Sequence, residues 1–211
     1  MSTVSETTRP HTTDSILNVT AAQPLHLLPR PELPNQPVSS LSNWGDRRWM
    51  FDNATPGVHA SSSAVTWNLD LLDGSNLCDP QHTDLLDWLR RLVWSAYAAP
   101  GDGAVRLKPG SLSALSTGLR SVVVWCVDNS VVWPSQMTRS VVGSYVDDLR
   151  TLVEEKGEGV SLTEVTSWRQ LNVFALIWRQ RHALERAGVA PMPASPFGRQ
   201  GVISVAKEVV A

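Results

Sequence analysis

Between Pro80 and Gly188, apolar residues recur every three or four positions over four successive stretches, with polar residues between them. That spacing lays one apolar stripe along a helix of 3.6 residues per turn. The first stretch, from Pro80 to about Ala98, places Leu85, Leu86, Leu89, Leu92, Val93 and Tyr97 inward, with Trp88 and Trp94 widening the face. Asp79 is suited to cap it, and Pro80 to the first helical position. The second runs from a cap at Ser111 to about Asn129, with Leu112, Leu115, Leu119, Val122, Val123 and Cys126 inward. Its VVVWCV run is β-branched and would suit a strand by propensity. Continuity with SLSALSTGLRS favours helix. The third spans Thr138 to Lys156, with Val142, Tyr145, Val146, Leu149, Leu152 and Val153 inward. The fourth opens on Ser161-Leu-Thr-Glu164, a capping-box pattern. It continues through Val165, Trp168, Leu171, Ala175, Trp178 and Leu184 to a stop at Gly188. Short links between four helices predict a mainly α protein with a compact four-helix bundle.

The flanks carry weaker patterns. Residues 1–43 are rich in Ser, Thr, Pro and Asn, and PLHLLPRPELPNQP is too broken by proline for a helix. They read as an irregular, flexible arm, with Leu25, Leu27 and Leu28 as its gripping residues. Residues 44–79, which carry Trp44, Trp49 and Phe51, read as an extension packed on the bundle. Residues 80–188 form the helical domain, and residues 189–211 read as a tail or truncated linker.

Composition narrows the function. The net charge is −2, which excludes a uniformly basic nucleic-acid binder but leaves room for a local basic face. Basic residues outnumber acidic ones 5 to 3 in residues 80–125 and 6 to 2 in residues 161–207, whereas acids lead 6 to 3 in residues 126–160. The first two helices and the last can therefore share a positive face. Nine tryptophans point to an indole-rich core, with a subset free to stack on bases or a partner. Cys78 and Cys126 match no metal spacing, and a reducing, cytoplasmic setting is expected. No secretory signal or membrane-spanning run is read, so no membrane partner is expected.

Reaction chemistry is sparse. His11, His26, His59, His82 and His182 are scattered without zinc-ligand spacing. His182 and Glu185 read as a surface pair. Asp147-Asp148 and Glu154-Glu155 read as solvated helix faces. GLRSVVVW and PFGRQG match no phosphate loop. No catalytic residue, cofactor or metal is expected.

The stretches LLDWLRRLVWSAY, RLKPGSLSALSTGLRSVVVWCVDN and SVVGSYVDDLR resemble the amino-terminal core-binding region of tyrosine recombinases and phage integrases. WRQRHALERAGVAPMPASPFGR resembles the passage leading out of that region, so the likeness covers roughly residues 41–205. It implies a SAM-like four-helix bundle, duplex DNA binding and subunit contact during strand exchange, as in DNA recombination and integration by a mobile genetic element. The family's arginine-rich centre and nucleophilic tyrosine have no counterpart. Tyr97 and Tyr145 are the two tyrosines, and both sit at core periodicity. The resemblance leaves open a truncated recombinase, an accessory factor or a fragment, and implies as partners duplex DNA, a full-length recombinase or a second copy.

Phosphate-binding candidates follow from charge and helix position. They are Arg90 and Arg91 on the first helix, Arg106 and Lys108 before the second, Arg120 within it, and Arg169, Arg179 and Arg181 on the fourth, with Arg199 in the tail more remote. The start of the second helix adds backbone N–H groups. The leading expectation is a noncatalytic DNA-binding protein or fragment. The competing one is a helical interaction or assembly module without DNA, motivated by the acidic balance, the tryptophans and the Leu/Pro arm.

Overall fold

The computed structural model describes residues 24–52, 60–100, 106–155 and 163–211. It is mainly α. The helices are α1 (Thr83–Ala98), α2 (Leu112–Asp128), α3 (Arg139–Glu155), α4 (Glu164–Arg179), α5 (Arg181–Arg186) and α6 (Gly201–Val209). Two short antiparallel strands, β1 (Arg48–Met50) and β2 (Ala64–Thr66), pair Trp49 with Val65.

The apolar stripes become the core. All six inward residues expected on α2 are buried. On α3, Val142, Tyr145, Val146 and Leu149 are buried, but Leu152 is exposed. On α4 the expected stripe is partly displaced. Val165 is 55% exposed and Trp168 37%, whereas Val173, Phe174, Leu176 and Ile177 are buried. The reason is that α4 is sandwiched between α2 and α6. A helix covered on two sides is apolar over most of its surface, and periodicity then loses its direction.

Close approach of α2 to α4 depends on Gly118. A β-carbon there would lie 2.4 Å from the carbonyl oxygen of Arg169. Nearby, the Tyr145 hydroxyl donates to Gln170 Oε1 (3.1 Å), and Gln170 Nε2 donates to Ser121 Oγ (3.2 Å), joining α3, α4 and α2. The Tyr145 ring packs edge-on against Trp125 and Phe174. Burial raises its hydroxyl above the ordinary tyrosine range. Cys126 is buried in the same core, and its thiol is pushed up to about 12 by desolvation. Both Cys78 and Cys126 are free thiols.

The helix ends differ from their sequence expectations. The Asp79 carboxylate accepts the Asn76 N–H instead of capping forward. Ser111 makes no side-chain cap, because a 3-10 turn over Pro109–Ser111 leads into α2. Ser161 lies outside the described residues, as do Lys156 and the Val153 side chain. The cap of α4 is Thr163, whose side chain accepts the Thr166 N–H. The expected fourth helix also breaks at Gln180, which separates α4 from α5. Gly188 does stop α5, with φ +79°, and the N–H groups of Gly188 and Val189 close back on Glu185 and Leu184. That is a Schellman arrangement, and the buried pair Leu184 and Val189 supplies its apolar contact.

Segments read as peripheral are integrated. Residues 24–43 form two 3-10 turns, over Leu25–Leu27 and Arg30–Glu32, and the first packs on α1. Leu33 and Val38 are buried. Residues 44–79 bring Trp44, Trp49, Phe51 and Trp67 into one aromatic cluster, with Trp49 5.1 Å from Trp44 and 5.0 Å from Trp67, centroid to centroid. The stretch read as a tail holds α6, whose Val205, Ala206 and Val209 are buried against α4 and α3. Among the described residues, Pro109–Asp128 is long and apolar enough to cross a membrane by length and composition, contrary to the sequence expectation. Its apolar face is a core face, packed on α4 and β2.

Candidate nucleic-acid interface

The eight basic residues singled out from the sequence separate into distinct environments. Arg91 is 5% exposed. Its Nε pairs with Asp87 at 2.8 Å, and its Nη1 donates to the carbonyls of His26 (2.6 Å) and Leu28 (3.0 Å). Arg90 is half-buried. Its Nη2 donates to the Asp46 carbonyl at 2.9 Å, and its guanidinium lies 5.9 Å from the Trp49 ring and 5.8 Å from the Trp67 ring. Burial lowers its pKa from the ordinary arginine value. Both are therefore corrected from phosphate ligands to braces that hold the arm and the aromatic extension on α1. Arg181 is also diverted. It stacks 4.0 Å from the Trp178 ring and donates to the Trp178 carbonyl.

Four of the eight converge. Arg106, Lys108, Arg169 and Arg179 line one cleft of about 640 Å³ between the start of α2 and the outer face of α4. The α2 side contributes Gly110, Ser111, Ala114 and Leu115, while α4 contributes Trp168, Asn172 and Leu176, with Gln180 at its end. These positions on α4 recur at three- and four-residue steps, so they share a face. Among the described residues, no acidic side chain lines the cleft. Among the described residues, none of the four cations is in an ion pair. Arg179 Nη2 donates to Asn172 Oδ1 at 3.2 Å, and Arg106 Nε donates to the Tyr97 carbonyl, with its guanidinium over the Tyr97 ring. These neutral contacts orient the guanidinium groups without pairing their charge to any described carboxylate. Arg120 is exposed but lies elsewhere on α2, roughly 140° around the helix from Leu115. Arg199 is exposed, just ahead of α6.

A second cleft, between α3 and α6, shows what a neutralised site looks like. Arg139, Arg150, Asp147 and Glu208 line it together, and Arg150 pairs with Asp147 at 2.9 Å and Glu208 at 3.7 Å. Among the described residues, no three His, Cys, Asp or Glu side chains gather where they could hold a metal ion. His182 and Glu185 are exposed, 3.5 Å apart on one helix turn.

Two cleft residues escape sequence reasoning. Trp168 fits the core periodicity of α4, yet it is the most exposed of the nine tryptophans, at 37%. Gln180 is buried, and its Oε1 accepts no hydrogen bond. Gly118, in the middle of an apolar helix, is the signal that two helices approach closely here.

Comparison with known proteins finds no matching family model, no matching curated protein and no matching solved structure.

Proposed function

We propose that this chain is a noncatalytic DNA-binding module, related to the core-binding region of tyrosine recombinases, that docks on duplex phosphates through the α2–α4 cleft. In this reading α1 to α4 correspond to that region's SAM-like four-helix bundle. A full-length recombinase or a second copy then contacts the same DNA. The observation that carries the reading is the convergence of Arg106, Lys108, Arg169 and Arg179, unopposed by any acid among the described residues, in a chain of net charge −2. Clustering like charges costs energy through mutual repulsion, and an anionic ligand relieves that cost. Arginine suits phosphate because its planar fork donates two parallel hydrogen bonds. Such contacts fix register on the duplex without reading its sequence.

The test is a fluorescence-anisotropy titration of labelled duplex across a salt series. The wild type is compared with a variant carrying Arg106→Gln, Lys108→Gln and Arg179→Gln, and with Arg120→Gln as a control outside the cleft. Wild-type affinity falls as salt rises, and the triple variant loses about 2–3 from the log–log salt slope. The control keeps the wild-type slope. Equal slopes for the wild type and the triple variant would overturn the site. Absence of duplex binding at low salt would favour the assembly-module reading.

A further inference from the structure

The cations of the cleft account for phosphate binding, but two of its other residues do not serve an anion. An exposed indole gains nothing from a phosphate. A buried carboxamide oxygen repels one. Trp168 and Gln180 both line the same cleft as the four cations. The Gln180 Oε1 is a buried acceptor without a donor. That oxygen is closed off from the cleft, so Gln180 serves as part of its wall and the indole is the group with a face to offer. A nucleobase has what the indole requires. Its face stacks on an aromatic ring.

We propose that the α2–α4 cleft receives one unpaired nucleotide, its phosphate on the cationic rim and its base against Trp168. The inference rests on the DNA-binding reading and deepens it by naming the DNA form preferred, which is a duplex with a base displaced from its stack. Several features of the site support it. A cleft of about 640 Å³ is roomy enough for one nucleotide but not for a duplex to enter. Trp168 and Arg179 lie on one face of α4, three turns apart, so an aromatic platform and a cation flank the same opening. The remaining tryptophans are buried or half-buried, which makes Trp168 the indole with a face to offer. A base already out of the stack also spares the protein the few kcal/mol that unstacking costs.

The test uses three labelled duplexes of one sequence: fully paired, with a single extrahelical adenosine, and with an extrahelical abasic residue at the same place. The abasic duplex keeps the backbone distortion and lacks the base. The wild type binds the adenosine bulge about tenfold more tightly than either of the others, within the range that one base–aromatic stack supplies. Trp168→Ala removes that preference, so that it binds the adenosine and abasic bulges equally, while Trp168→Phe retains most of the preference. Circular dichroism of each variant establishes that it is folded. Equal affinity for adenosine and abasic bulges, with salt-sensitive binding of the paired duplex intact, would overturn the base site and spare the DNA-binding reading. A preference that survives in folded Trp168→Ala would place the base elsewhere and overturn it too. Failure of all three duplexes to bind would remove both readings.

Discussion

Gly118 on α2 faces Arg169 on α4 with no room for a side chain: a β-carbon would sit 2.4 Å from the Arg169 carbonyl oxygen and 3.2 Å from Val173 Cγ2. The obstruction is backbone, so no rotamer change relieves it. At an exposed helix position Gly→Ala stabilises by about 1 kcal/mol. Here overpacking costs about 1–3 kcal/mol and opposes that gain. A backbone obstruction puts the cost at the upper end of that range, so Gly118→Ala is expected to destabilise the protein by about 2 kcal/mol in urea unfolding. A variant as stable as the wild type would show that α4 shifts freely, and that the cleft above this contact is not held at a fixed width.

Arg91 ties the arm to α1 through two carbonyls and to Asp87 through an ion pair. Arg91→Met removes the cation and leaves those buried acceptors unsatisfied. Breaking a buried pair from one side costs about 3–5 kcal/mol. The expected outcome is a large loss of stability with early proteolytic cutting near His26 to Arg30. DNA affinity of the folded fraction stays at the wild-type level, because Arg91 does not line the cleft. A loss of affinity at unchanged stability would return Arg91 to the list of phosphate ligands.

His26 makes stability depend on pH. It is buried with neither ring nitrogen hydrogen-bonded to any described residue, and its pKa is lowered to about 4 by burial first, then by the charges of Arg186 and Arg91. Between pH 6.5 and 4 the unfolded chain takes up a proton that the folded chain refuses. Stability is then full above pH 6.5, falls as the pH drops toward 4 and levels off below it, by up to about 3 kcal/mol. His26→Leu keeps the volume and removes the titration. Denaturation midpoints measured from pH 7 to 4 should fall for the wild type and stay flatter for the variant. Parallel curves would show that another group titrates.

The four helical stretches were legible because Leu85, Leu89 and Leu92, or Leu112, Leu115 and Leu119, pack on one side of a helix whose other side stays polar. What defeated the pattern was cover from distant chain. Arg90 and Arg91 look like any solvated arginine pair until residues 24–52 fold over that face of α1. Proline breaks in the arm rule out a regular helix, but they do not prevent two 3-10 turns from burying Leu33 and His26. The nine-residue α6 is too short to be stable alone and takes its helicity from packing on α4. The cleft was half legible. Charge picked out its four cations, but Arg106 and Arg169 lie far apart in sequence, and only the α2–α4 contact brings them together.

The uneven burial of the tryptophans has an optical consequence. Trp49, Trp67 and Trp88 are sealed in the core, with the Arg90 guanidinium near the rings of the first two, and the Arg181 guanidinium lies over Trp178. The emission of the three sealed indoles belongs to the interior, out of reach of acrylamide while the chain is folded. Trp168 stands at the mouth of the basic cleft, where a collisional quencher meets it first. The protein thus contains a native reporter at the place where a ligand would sit, set against a blue-shifted background that changes when the core opens.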